Sequence, residues 1–142
     1  MKASYAPSNQ NDPSNVEITT VDVSTAEEFF RLRGTVQTLD SGSPAIDLVD
    51  DSQAGLTFAT TTGGIALSLI APGGDHSYHA INPDCHADDD ESPLFSFTYM
   101  GSYSEVPQGC LVSMPIAHRV VEAYFAGGLD AALLAADWEA DW

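Results

Sequence analysis

Between Ala45 and Val112 the chain is cut into short β-type runs by turn residues, and a helical pattern flanks this stretch on each side. The runs fall at residues 45–49, 56–61, 64–71, 77–81, 94–100 and 110–112. Gly63-Gly64 fits a tight hairpin and Pro72-Gly73-Gly74-Asp75 a turn, because glycine and proline supply the backbone angles that turns need. LFSFTYM alternates Leu94, Ser96 and Thr98 against Phe95, Phe97 and Tyr99, which is the period of a half-buried strand. Spacing this short leaves no room for crossover helices, so the strands must pair as an antiparallel meander. The fold class expected is α+β: a single domain with an antiparallel sheet of about five to six strands and two main helices.

The first helix follows a strand at residues 16–23. Ser24 reads as its N-cap, with Glu27 three residues on completing a capping box. Phe29, Leu32, Val36 and Leu39 step by one helical face, and Gly34 weakens the helix by ~1 kcal/mol relative to alanine. The second helix opens at Ser113 with Pro115 in its first turn and runs from Met114 to about Ala126. Its buried stripe is Ile116, Val120, Val121, Tyr124 and Phe125. Gly127-Gly128 reads as its stop. One further helical turn and a final edge strand in ADWEADW complete the chain. Residues 1–15, rich in Ser, Asn and Pro, read as a flexible N-terminal tail, leaving 16–142 as the domain.

The chain has 142 residues, with 21 acids against 4 bases, a net charge of −17. Binding to nucleic acid or an anionic membrane needs a basic footprint, so neither is expected. No run approaches the ~18 apolar residues of a membrane span. No signal peptide is evident, and Cys85 and Cys110 are too few for a disulfide framework, so a cytoplasmic protein with free thiols is expected. A charge this large exceeds the roughly 2–8 that solubility needs. Three causes compete: a strongly basic protein partner met by electrostatic steering, a salt-rich cytoplasm, or mimicry of a nucleic-acid backbone. Asp outnumbers Glu 14 to 7, a balance that a halophile shares.

His76, His79 and His86 lie near Asp75, Asp84 and Cys85, which are plausible zinc donors, but their spacing matches no chelating pattern. No cofactor or metal is expected. There is no GxSxG elbow, Walker loop, HExxH or deaminase signature. Cys110 sits in an apolar run as an inert thiol, and His118 with Glu122 reads as a helix-surface pair. An enzyme is therefore not expected. Asp84, Asp88, Asp89, Asp90 and Glu91 lie between Pro83 and Pro93. That segment lacks the alternation and glycine of a calcium loop. It reads either as a solvated charge run or as a finger whose carboxylates accept paired bonds from Arg and Lys in a basic cleft. Asp50 and Asp51, on another loop, would extend such a patch. Tyr103, like Tyr99, Trp138 and Trp142, is a candidate contact aromatic.

The C-terminal third reads FSFTYMGSYSEVPQGCLVSMPIAHRVVEAYFAGGLDAALLAADWEAD. An aromatic strand, a connector with Pro107, a short strand, a helix stopped by glycine and a late Trp follow one another. This pattern resembles the Imm1 family of bacterial polymorphic-toxin immunity proteins over residues 94–139, departing from it in the Ala/Leu-rich LDAALLAA. The resemblance implies a cytoplasmic, non-enzymatic inhibitor that binds a cognate secreted toxin one to one. The toxin would act on nucleic acid, as a deaminase or nuclease. The candidate toxin-binding residues, from charge and loop position alone, are Asp50, Asp51, Asp84, Asp88, Asp89, Asp90, Glu91 and Tyr103. Two alternatives stay open: a salt-adapted acidic domain of unknown activity, and a metal-dependent enzyme using the His76/His79/His86 region.

Overall fold

The computed structural model describes residues 1–6, 18–38, 44–82, 93–100 and 102–141. It is an α+β domain whose main sheet is larger than expected. Strands β1 (Lys2–Tyr5), β2 (Thr19–Asp22), β3 (Ile46–Val49), β4 (Gly55–Thr61), β5 (Gly64–Ile70) and β6 (Ser77–Ala80) belong to it. So do β9 (Leu111–Val112) and β10 (Trp138–Ala140), whereas β7 (Leu94–Tyr99) and β8 (Ser102–Pro107) form a separate hairpin. The order across the main sheet is β10-β6-β5-β4-β3-β1-β2, all antiparallel, with β9 pairing the start of β5.

Two sequence expectations need correction. The segment expected to be a flexible tail begins with β1, which lies inside the sheet between β2 and β3. Its pattern is short, but Ala3 and Tyr5 both point into the core. A four-residue strand buried on one face carries too little periodicity to stand out from a polar neighbourhood. Residues 7–17 lie outside the described residues. Residues 101–109, expected as a connector, supply β8, because every residue of β7 finds a partner from Ser102 to Pro107. Gly127-Gly128 interrupts the second helix as expected, and further helical turns follow it.

That helix, α2 (Met114–Leu134), bends at Gly128, where φ is 75° and ψ is −155°. Only glycine adopts such angles without strain. The chain then resumes helical turns to Leu134. Trp138 Nε1 donates to the Ala132 carbonyl at 3.2 Å, and Arg119 Nε donates to the Ala135 carbonyl at 3.0 Å. These bonds satisfy carbonyls that a helix end leaves open and set β10 against β6, as the edge strand expected from ADWEADW.

Helix α1 (Ala26–Thr38) is capped by Thr25, one residue later than the expected Ser24. Thr25 Oγ1 accepts from the Glu28 N–H at 3.1 Å, and Glu28 reaches back to the Ser24 N–H at 2.9 Å. Both helices cover one face of the sheet. Phe29 and Phe58 meet edge to face with centroids 5.2 Å apart, and Phe30 completes the cluster. Around them Val36, Ile46, Leu48, Leu56, Leu67, Leu69, Val120 and Val121 are fully buried. Tyr124, also buried, donates its hydroxyl to the Ala54 carbonyl at 2.9 Å.

The opposite face carries the β7–β8 hairpin. Phe95, Phe97 and Val106 pack on Ala45, Ala59, Ala66 and Leu111. Small side chains on the sheet make room for the aromatic strand. Gly63 shows how close the approach is, since a β-carbon there would overlap the Phe95 ring. Tyr99 ties the hairpin down by donating to Asp47 Oδ2 at 2.7 Å, and the Ala45 N–H donates to the Thr98 carbonyl at 2.7 Å.

Candidate partner-binding face

Strand alternation gives the hairpin side of the sheet its chemistry. Thr20, Ser4, Asp47, Thr57, Ser68, His79 and Glu139 are successive register partners across seven strands. They form one continuous row of hydrogen-bonding side chains. Thr57 Oγ1 donates to Asp47 Oδ1 at 2.6 Å, and Ser4 and Thr20 share a hydrogen bond of 2.9 Å. Asp141, just past β10, closes the row's far end. Its carboxylate accepts from Ser77 Oγ and from His79 Nδ1, each at 2.5 Å.

Between this row and the hairpin lies a cleft of about 280 Å³ lined by Thr57, Ala59, Ser68, His79, Phe97, Val106, Cys110 and Asp141, among others. Thiol, imidazole and carboxylate share it. The Cys110 thiol is nevertheless pushed up from its ordinary value by burial, and further by the nearby carboxylates of Glu139 and Asp141. That is the opposite of the depressed value a nucleophilic thiol requires. Cys110 ends a short 3₁₀ turn (Gln108–Cys110) and does not lie within a strand.

Asp141 is held below the usual carboxylate range, chiefly by the Ser77 hydroxyl and then by His79. A carboxyl lowered by folding adds stability above its unfolded value of ~3.9, and that stability is lost as pH falls through the folded value. The backbone bond from the Asp141 N–H to the Ser77 carbonyl is therefore expected to stay protected at neutral pH and to open under acid. Hydrogen exchange at that amide checks this. Asp141→Asn should cost protection at neutral pH and nothing below the folded carboxyl's titration. Equal loss at both would remove the carboxylate from the latch.

The arginines are segregated. All 4 bases lie among the described residues. Arg31 and Arg33 are on α1 and Arg119 on α2, all in the helix layer. Arg31 pairs with Glu27, and Arg33 lies over the Phe58 ring with Nε donating to Thr60. Lys2 alone faces the hairpin side, at its far edge, and is paired to Asp22. From β3 to β10 that side presents Asp47, Glu139 and Asp141, with Glu105 on the hairpin, and no lysine or arginine. It also carries most of the exposed large apolar side chains among the described residues. Tyr103 is 71% and Leu94 61% exposed, and Tyr99 and Ile70 are exposed as well. Glu105 beside Tyr103 raises the phenol above its ordinary value.

The sequence-proposed contact residues are distributed unevenly over this surface. Tyr103 stands on the outer face of the hairpin. Asp50 does not join it: its Oδ1 accepts from the Ser52 N–H, the Ser52 hydroxyl and the Ala54 N–H, so it shapes the β3–β4 turn. That turn adjoins Tyr124 on the helix side of the sheet. Asp51 is exposed at its tip. Asp84, Asp88, Asp89, Asp90 and Glu91 lie outside the described residues, as do Cys85 and His86. His76 is exposed ahead of β6, and His79 is turned onto Asp141. Among the described residues, no group of three or more His, Cys, Asp and Glu side chains is placed to hold a metal ion. His118 stacks on Phe30 with centroids 3.7 Å apart, packing that its spacing from Glu122 did not suggest. Likewise, no helix among the described residues is long and apolar enough to cross a membrane. Glu105, Glu139 and Asp141 were missed as candidates because their grouping depends on β8 and β10. No family model, curated protein or solved structure matches the chain.

Proposed function

We propose that this chain is a binding protein for a basic protein partner, acting as an immunity protein neutralises a cognate toxin. One observation carries the reading: the hairpin side of the sheet combines exposed tyrosines and aliphatic side chains with carboxylates and excludes arginine altogether. Such a surface repels anionic ligands and offers tyrosine anchors of the kind that dominate interface energetics. A toxin that acts on nucleic acid, a deaminase or nuclease, has the matching basic cleft, and covering that cleft would inhibit it without any chemistry by the inhibitor. The complex would be one to one, with no direct nucleic-acid contact. The resemblance of the C-terminal pattern to Imm1 proteins agrees with this reading.

Capture with tagged protein from the producing cells, at 0.15 and 0.5 M salt (near physiological and well screened), tests it. A basic protein domain recovered at near-equal stoichiometry is expected. Tyr103→Ala combined with Glu105→Lys should weaken that complex by roughly a hundredfold, the size of one aromatic hot spot and one charge contact. Replacing Asp88, Asp89, Asp90 and Glu91 with serine should slow association if the acidic segment docks as well. Recovery of nothing at either salt would overturn the proposal.

A further inference from the structure

The cleft between the polar row and the hairpin has the dimensions and chemistry of a side-chain pocket. At about 280 Å³ it falls just under the ~300–1,000 Å³ of sites for whole small molecules. Its walls are apolar where the hairpin lies, from Phe97, Val106, Ala59 and Ala66, and polar at one end, from Ser68, His79 and Asp141. The charges at that end are of one sign. Asp141 lines the cleft, and Glu139 lies beside His79 in the register row.

We propose that this cleft receives one basic side chain, an arginine or lysine, from the partner protein. The inference rests on the partner reading above and gives it a specific seat. An anionic occupant would meet Asp141 and Glu139 with no lysine or arginine to compensate them. An entirely apolar one would strip water from Asp141 and His79 and return no hydrogen bond. A long basic side chain satisfies both ends: its methylene stem lies along Phe97 and Val106 while its head reaches the carboxylates. His79 adds to the match. Its Nδ1 contact with Asp141 holds the ring at the polar end of the cleft, beside the carboxylate that the incoming cation would meet.

Titrating the wild-type protein with n-butylguanidinium, and separately with the uncharged n-butylurea, tests this by NMR without the partner. The expected result is saturable shifts at Ser68, His79, Phe97 and Val106 with the guanidinium. Binding of the urea should be roughly tenfold weaker or less, the size of one charge-assisted hydrogen bond. The guanidinium should also slow alkylation of Cys110, which lines the same cleft, measured in a Cys85→Ser background. Absence of saturation, or equal binding of both probes, would overturn the inference. The two readings fail separately. If guanidinium binds but no basic protein is captured, the pocket stands and the partner reading falls. If a basic protein is captured but neither probe binds and Asp141→Asn leaves its affinity unchanged, the pocket falls and the partner reading stands.

Discussion

A chain lacking residues 1–6 is expected to lose its cooperative fold. β1 is hydrogen-bonded on both sides, to β2 through Lys2↔Asp22 to Tyr5↔Thr19 and to β3 through Lys2↔Val49 to Ser4↔Asp47. Its removal would separate β2 from the sheet and turn β3 into an open edge, with unpaired backbone groups that invite association. It would also uncover the hydrophobic layer filled by Ala3, Tyr5 and Ala6. Burial of one large side chain alone contributes ~1.5–3 kcal/mol. A domain of this kind holds only ~5–15 kcal/mol in reserve. Near-UV circular dichroism and urea denaturation should show a loose or aggregating species. A sharp transition near the parent's midpoint would show that these residues are dispensable, as a tail would be.

The second large effect is expected at Phe58. This ring joins Phe29 and Phe30 on α1 and takes the Arg33 guanidinium over its face, 5.4 Å from the centroid. Phe58→Ala removes the contact that seats α1 on β4 and leaves a cavity between elements that cannot close on it. The cost should be about 3–5 kcal/mol. Arg33 would add to it, because its half-buried guanidinium, already lowered by burial, would lose the ring beside it. Chemical denaturation at neutral pH measures this directly. A loss under about 1 kcal/mol, the size of a surface substitution or two, would mean that the aromatic cluster is peripheral. Phe95→Ala, on the hairpin side, makes the comparison informative, since it should loosen the hairpin while leaving the helix layer intact.

The local patterns that were legible in the sequence are those with a strong period or a defined chemistry. β4 and β5 read correctly because Leu56/Phe58 and Ile65/Leu67/Leu69 alternate against small or polar residues. The α2 start read correctly because Ser113 and Pro115 mark it. What failed had its cause elsewhere in the chain. Lys2–Tyr5 becomes a strand because β2 and β3 flank it, and nothing within four residues announces that. SYSEVP pairs because LFSFTY lies opposite. The Gly127-Gly128 stop was legible: the backbone does break there, and the Ala/Leu-rich sequence after it returns to the helical state. The cleft was least legible of all. Asp141 meets His79 across 62 positions, a meeting that exists only because β10 pairs with β6. Tyr103 could be picked out as an aromatic in a polar connector, whereas its neighbour Glu105 gained meaning only once the hairpin was seen.

The placement of the arginines has a consequence for motion in solution. All three arginines lie behind the sheet, among the acids Glu27, Glu28, Glu122 and Asp130 of the helices, whereas the carboxylates of Asp47, Glu105, Glu139 and Asp141 in front share their face with no arginine. A cationic body approaching in front therefore meets carboxylates with no arginine among them to oppose it. Approach from that side would be favoured while the two bodies are still several ångströms apart, shortening the rotational search that limits most protein encounters. Ions would screen that preference beyond about one Debye length, ~8 Å at physiological strength.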